Sequence, residues 1–351
     1  MKIKILKSFL ENKELVQAMK NCDHGYCNNP NPYHLEGDVW THTMLVYNNA
    51  YTYDFGSLIM ALCHDIGKVI SRKENNEKQK TSFYGHAEKS IQPTIDFICK
   101  LKKEKILTDR NVKSFIKYCL PMMSNHMLYY QNRHKKDYFI YNDDKDITFQ
   151  LEYYLDDITR CDSDGSICKF PSRGEECSYK EEFIPKPFNP DLPTINIWVG
   201  LPYSGKDYLA EKTGYPIISY DQIRIKLYKE NHLNWKNESN LYNKAWLYCR
   251  DKDLNRYLLK ELRDINARIM NICNTSLTRK ARRSLINCIN PKKYNINIKH
   301  VFCPTEVLFK RIKYRPEQII PSNIINDMMG RMTIATHFEK NINDIDYIFN
   351  D

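Results

Sequence analysis

At 351 residues, 42% hydrophobic and 27% charged, the chain is long enough for two domains that each bury a core. No stretch approaches about 18 consecutive apolar residues, and lysines interrupt the apolar run from Met1 to Asn12. Neither a membrane span nor a signal peptide is therefore expected, and a soluble, cytoplasmic protein is the default. The net charge of +10 is uneven: residues 1–190 carry 27 Lys and Arg against 26 Asp and Glu, and residues 191–351 carry 26 against 17. The second half is the expected place for a polyanion, with a solubilising surface as the bland alternative. The 12 cysteines form no Cys-x-x-Cys pair, so reduced thiols are expected rather than bridges. Cys22 and Cys27, flanking His24, read as loop residues before they read as a zinc pair.

Apolar residues at three and four spacings predict helices over Val39 to Tyr47, Leu58 to His64, Ile91 to Leu101, Val112 to Leu120 and Phe149 to Ile158. The first half, residues 1–183, thus reads as an all-α domain. Its polar stretches Ser71 to Ser82 and Tyr129 to Asp146 read as exposed insertions. In the second of these, Tyr129, Tyr130, Arg133, His134, Lys135, Lys136 and Tyr138 interleave rings with positive charge. That pattern suits single-strand stacking less well than it suits a solvated loop. Four prolines between Phe183 and Thr194 mark residues 184–194 as a stiff linker. Beyond it, residues 195–351 alternate β-like runs (Ile195 to Val199, Ile217 to Ser219, Ile269 to Cys273, Ile296 to Phe302) with helical ones (Gln222 to Tyr228, Leu254 to Ile265, Arg279 to Cys288, Glu306 to Tyr314). Such alternation implies an α/β domain with a parallel sheet and crossover helices.

The first half carries an ordered set of metal-capable residues. In Ala61-Leu62-Cys63-His64-Asp65-Ile66-Gly67-Lys68 an imidazole is followed directly by a carboxylate whose two oxygens can bridge two cations. Asp38 reads as an N-cap, which puts His42 in the first turn of a helix, while Gly67 is placed to end the helix that delivers His64. His86, His126 and Asp162 follow. His42, His64, Asp65 and Asp162 make one nitrogen- and oxygen-rich site, and His86 with His126 completes a second that shares Asp65. A lone histidine is more often a capped or core residue, and His24, His34 and His134 read so. The spaced set, with Glu36-Gly37-Asp38-Val39-Trp40-Thr41-His42-Thr43 and His64-Asp65-x-Gly67-Lys68, resembles the HD superfamily of metal-dependent phosphohydrolases over residues 30 to 170. One or two divalent cations, a transition metal or Mn²⁺ or Mg²⁺, are implied. Lys68 is then placed to hold a substrate phosphate as a point charge, with His34 as a second, weaker candidate.

Ile195 to Val199 runs into Gly200-Leu201-Pro202-Tyr203-Ser204-Gly205-Lys206-Asp207, a Gly-x4-Gly-Lys loop in strand-loop-helix context. Backbone N–H groups in such a loop cradle nucleotide phosphates and Lys206 reaches the β and γ oxygens, so ATP or another nucleoside triphosphate with Mg²⁺ is the expected ligand. The eighth position departs: a neutral Ser or Thr hydroxyl is usual, and Asp207 either binds the metal directly or repels the nucleotide. Ser219-Tyr220-Asp221-Gln222-Ile223-Arg224 follows, in which Asp221 is an N-cap or a general base. Arg311 and Arg315 stand at i and i+4 on one helix face.

The order of phosphate loop, Asp-x-x-Arg and Arg-x3-Arg resembles the 5′-kinase domain of the bacteriophage polynucleotide kinase-phosphatase and its relatives. By that resemblance Asp221 is the base, Arg224 contacts the acceptor's phosphate, and Arg315 is a lid arginine with Arg311 as a second candidate. Asn274 stands where that family has an aspartate, so Asn274 and Asp207 either compensate or mark decay. An HD module followed by such a kinase resembles the two-domain HD-Pnk family of RNA end-healing enzymes. The resemblance implies phosphorylation of 5′-OH ends and removal of 2′,3′-cyclic, 2′ or 3′ phosphates. It also implies RNA ends, or DNA ends, as partners, a separate RNA ligase downstream, and no membrane. The rivals are a phosphate-loop domain that only binds nucleotide or RNA, and an HD enzyme acting on free nucleotides.

Overall fold

Phe55 to Cys63 is apolar on every side, and a helix of that kind is stable only when surrounded. In the computed structural model its residues from Leu58 to Cys63 are completely buried. The structure describes residues 1–351 except 28, 128–144, 170–185, 233–234, 238–239, 251–252, 315–319 and 337–338. It divides into two compact units, Met1–Ile184 with Gly330–Ile334, and Pro185–Met329 with Ala335–Asp351.

The first unit is built from α1 (Lys2–Leu10), α2 (Lys13–Lys20), α3 (Val39–Asn49), α4 (Phe55–Cys63), α5 (Lys68–Ser71), α6 (His86–Lys103), α7 (Asp109–Ser114), α8 (Leu120–Met123) and α9 (Lys145–Gly165). A π-helical turn, Phe115–Cys119, joins α7 to α8. Pro121, which has no N–H to give the preceding turn, follows after Leu120. α4 packs against α1, α3, α6 and α9. The expected all-α character is corrected at one place. Within the stretch 71–82, β1 (Lys73–Asn75) and β2 (Lys80–Ser82) pair antiparallel, Lys73 opposite Ser82. The pair is mostly exposed and contributes nothing to the core, so no apolar alternation announced it.

The second unit holds a five-stranded parallel sheet in the order β4-β5-β3-β6-β7, formed by β3 (Thr194–Gly200), β4 (Ile217–Ile218), β5 (Ile269–Cys273), β6 (Asn295–Phe302) and β7 (Asp344–Phe349). β3 lies at the centre, Ile197 opposite both Ile272 and Ile298. Strands buried on both faces read as continuous apolar runs. Here Ile195, Ile197 and Val199 face one cluster, and Trp198 faces another with Ala210. The helices are α10 (Lys206–Glu211), α11 (Tyr220–Asn231), α12 (Leu241–Tyr248), α13 (Leu254–Asp264), α14 (Arg279–Ile289), α15 (Thr305–Ile312) and α16 (Ser322–Arg331). Residues 186–192 of the proline-rich stretch are fastened to this unit. Asn295 Nδ2 donates to the carbonyls of Asn189 (2.7 Å) and Leu192 (3.1 Å), and Asn343 Nδ2 donates to those of Lys186 and Pro187, both at 2.9 Å.

Candidate metal centre and phosphate loop

Local rules place each histidine of the first unit. Asp38 caps α3, its Oδ1 accepting from Thr41 N at 2.9 Å, so His42 sits in the first turn. His64 is the residue after α4, and Lys68 opens α5 one turn on. Gly85, at φ +72°, starts α6 with His86 as its first residue. His126 lies in the turn after α8, and Asp162 in the last turns of α9. Gly67 has φ −64° and does not form the left-handed cap that its sequence position suggested. Glycine is needed there because a Cβ would lie 2.0 Å from the His86 carbonyl oxygen. The Gly67 N–H donates to Ser90 Oγ (2.9 Å), which donates to the His64 carbonyl (2.8 Å), tying this turn to α6.

These elements converge on Asp65, which is 1% exposed. His42, His64 and Asp162 have ligand atoms within 4.8 Å of one another, and so do Asp65, His86 and His126. The carboxylate of Asp65 divides between the two groups. Its Oδ2 lies 3.4 Å from His64 Nε2 and 3.6 Å from His42 Nε2, and its Oδ1 lies 3.3 Å from His86 Nε2 and 4.0 Å from His126 Nε2. Three rings have the same tautomer-setting contact: Nδ1 of His64, His86 and His126 faces the carbonyl three residues back, at 3.1, 2.9 and 2.6 Å. Each Nδ1–H donates there, so Nε2 is turned inward. His42 is held instead by Glu36, whose Oε1 is 2.8 Å from His42 Nδ1.

The donor set fits divalent cations. Neither Asp65 oxygen nor His64 Nε2 has a hydrogen bond of acceptable geometry, although all three atoms are buried. The Nε2 atoms of His86 and His126 face each other at 3.3 Å, and with both Nδ1 protons committed elsewhere two lone pairs meet there unless a proton or cation intervenes. Burial raises a carboxyl group, but Lys68 and His64 hold Asp65 well below the usual range, and His42 and His64 do the same for Asp162. Burial and His86 push His126 down to about 4. Burial also opposes charge on His64, yet Asp65 and Asp162 retain its proton and lift it to about 10. Ionised carboxylates and imidazoles that exchange a proton for a metal make a cation site.

Lys68 Nζ lies 2.7 Å from Asp65 Oδ2 and 3.1 Å from His24 Nε2. His24 donates from Nδ1 to the Gly37 carbonyl (3.1 Å), so its Nε2 accepts from the ammonium; burial first and Lys68 second lower it to about 2. His34 stacks on His24 with centroids 4.2 Å apart, and its Nδ1 is 2.8 Å from Glu36 Oε1. His24, His34 and Glu36 are themselves close enough to hold an ion. The Glu36 oxygen is already shared by His34 and His42, so this group serves as an outer layer. Sequence reasoning missed Glu36 and His24. Neither has a local signal, because Glu36 works through a ring six positions on and His24 through a lysine 44 positions on.

In the second unit β3 turns through Gly200–Gly205 into α10, with Tyr203 at φ +65° and Gly205 at φ +88°. Lys206 is buried and its Nζ is 3.1 Å from Asp207 Oδ2, which is half-exposed. The loop is braced from behind. Arg311 Nη1 donates to the carbonyls of Tyr203 (3.2 Å) and Ser204 (3.1 Å), and Asn350 Nδ2 donates to that of Ser204 (2.6 Å). A Cβ on Gly205 would meet Asn350 Nδ2 at 2.2 Å. Arg311, expected as a lid, thus lies along the loop backbone. Asn271 anchors the end of α10, Nδ2 to Thr213 Oγ1 at 2.8 Å, and accepts from Trp198 Nε1 at 2.9 Å.

Ser219, not Asp221, caps α11, accepting from Gln222 N at 3.1 Å. Asp221 lies in the first turn, with its Oδ1 2.6 Å from Arg224 Nη1. Asn274 Oδ1 accepts from Tyr220 N at 2.9 Å and so fixes the start of this helix to the end of β5. Arg315 and the 129–138 aromatic-basic stretch lie outside the described residues.

The second unit has the architecture of an α/β domain with a phosphate loop after its central strand. No protein-family model matches the chain, and no curated protein matches it. Among solved structures it is similar to a sugar kinase from Janibacter sp. HTCC2649, at 16% identity and TM-score 0.31, over 45% of this chain and 85% of that one. It is also similar to a gluconokinase from Sinorhizobium meliloti 1021, at 17% identity and TM-score 0.28, over 45% of this chain and 83% of that one. Among the described residues no helix is long and apolar enough to cross a membrane.

Proposed function

We propose that the protein is a bifunctional RNA end-healing enzyme, with an HD-type phosphohydrolase module in residues 1–183 and a polynucleotide 5′-kinase module in residues 195–351. The observation that carries the reading is Asp65, whose two oxygens face two separate histidine groups, in a chain that also holds the Gly200–Lys206 phosphate loop. Bound divalent cations would supply a water deprotonated near neutral pH and a clamp on a phosphate oxygen. The chain's own residues bind and orient. His42, His64 and Asp162 would hold one cation and His86 and His126 the other, with the Asp65 carboxylate facing both groups. Lys68 offers its ammonium beside Asp65 to a terminal phosphate on RNA, held in place by His24.

For the kinase, Lys206 and the loop N–H groups draw charge from the β and γ phosphates of ATP, which arrives with Mg²⁺. Asp221 takes the proton of the 5′-OH, and Arg224, paired with it at 2.6 Å, steadies that carboxylate and meets the acceptor's phosphate. Arg315 supports the transfer. A second reading has the phosphate-loop unit bind nucleotide without turnover. The Lys206–Asp207 ion pair favours it, since it ties up the ammonium that should meet the phosphates.

One substrate tests both activities: an RNA oligonucleotide with a 5′-OH and a 2′,3′-cyclic phosphate, given with ATP, Mg²⁺ and a transition metal. Lys206→Ala and Asp221→Ala should abolish 5′ phosphorylation alone, and Asp65→Ala should abolish phosphate removal alone. ATP bound but never consumed selects the second reading, and wild-type protein that alters neither end refutes end healing.

A further inference from the structure

The eighth loop residue and the end of β5 make a pair that the kinase reading leaves unused. Asn274 is 7% exposed. Its Oδ1 is identified by the Tyr220 N–H that it accepts, which leaves Nδ2 as the opposite atom, buried and without a hydrogen bond. The next residue, Thr275, accepts at its carbonyl from Gly200 N at 3.4 Å, so this amide lies beside the first glycine of the loop. A buried donor that no protein group satisfies is open to an acceptor from a ligand or a water. Asp207 stands one turn before Ala210 on α10, and Ala210 packs against Cys273, the residue immediately before Asn274, so Asp207 reaches the same region.

A neutral hydroxyl at the eighth position tolerates a bare triphosphate, whereas a carboxylate repels it until a cation lies between them. A second carboxylate at position 274 would add to that repulsion, and a neutral amide does not. We infer that Asp207 is the protein ligand of the cation that accompanies the nucleotide, and that Asn274 Nδ2 donates to an oxygen of the same phosphates, which makes nucleotide binding at this loop conditional on the cation. The inference rests on the nucleotide reading of Gly200–Lys206.

The test is titration of a fluorescent N-methylanthraniloyl ATP into the full chain, once with Mg²⁺ and once with EDTA. Wild type should bind in Mg²⁺ and at least about tenfold more weakly in EDTA. Asp207→Ala, which leaves no ligand atom at the eighth position, should bind more tightly than wild type in EDTA and lose most of the gain from Mg²⁺. Asn274→Ala should weaken binding in both media; Asn274→Asp, which keeps the acceptor for Tyr220 and so the start of α11, should do so too. An unchanged Mg²⁺-to-EDTA ratio in Asp207→Ala overturns the cation assignment, and is the result expected if Asp207 only tethers Lys206. Unaltered affinity in both Asn274 variants overturns the donor assignment. Wild type that binds in neither medium removes the nucleotide site itself, and the inference with it.

Discussion

Gly67→Ala is the sharpest probe of how the candidate metal centre is assembled. Its backbone angle is ordinary for alanine, so the effect comes from contact alone. The new methyl would lie 2.0 Å from the His86 carbonyl oxygen, 2.9 Å from His86 C and 2.9 Å from Ser90 N, all of them backbone atoms that cannot rotate away. Restoring a bearable separation moves the first turn of α6 by about 1 Å, and a metal ligand tolerates about 0.2 Å. His86 travels with that turn, whereas His42, His64 and Asp162 stand on other elements. The expected outcome is loss of the cation held by Asp65, His86 and His126 with retention of the other. Overpacking of this kind costs about 1–3 kcal/mol, or roughly 2–12 °C in Tm for a unit of this size. Metal content by mass spectrometry after loading and desalting, together with thermal unfolding, reads both quantities. A variant with full metal content and wild-type Tm would refute the argument.

Glu36→Ala removes no direct ligand but takes away the oxygen 2.8 Å from His42 Nδ1, so metal affinity should fall by about 10- to 100-fold in a competition titration. Because Asp162 and Glu36 hold the His42 proton against burial, and Asp65 and Asp162 hold that of His64, both imidazoles sit above their ordinary value and metal must displace those protons. Metal affinity should therefore weaken as pH falls, and calorimetry in buffers of different ionisation enthalpy should register proton release on binding. Asn350→Ala deletes one brace of the phosphate loop, worth about 1 kcal/mol, and should raise the KM for nucleotide roughly fivefold with little change in kcat. Glu339→Gln leaves Arg282, which is 0% exposed, without its ionic partner and should cost about 3–5 kcal/mol in urea unfolding.

The parts of this fold that obey short-range rules were legible. Asp38 caps three residues ahead, and apolar spacing over Phe149 to Ile158 located the middle of α9, which runs on to carry Asp162. β3 through β6 were marked by branched apolar runs. β7 was not: Asp344 and Asp346 alternate with Ile345 and Tyr347 as in a half-buried strand, but acids are poor strand formers, and pairing with β6 is what makes it one. Arg311 shows the limit differently. Its helix was foreseen, but whether its guanidinium lies over a ligand or along the loop backbone depends on where α15 packs, which no local pattern records. At Gly67 the sequence position foretold the turn that follows α4 but not why glycine stands in it: the backbone angle is ordinary, and close packing against α6 is what requires it.

Nδ1 of His64, His86 and His126 each meets the carbonyl three residues earlier, within its own turn of chain. The orienting partner of each candidate ligand is thus carried in the same four-residue stretch as the imidazole itself. Loops between these turns can lengthen, shorten or be exchanged without disturbing which nitrogen faces inward, since no distant side chain has to follow. The centre is modular at the level of single turns. His42 is the exception, and its dependence on Glu36 makes the segment from 36 to 42 the part of the site least free to vary in length.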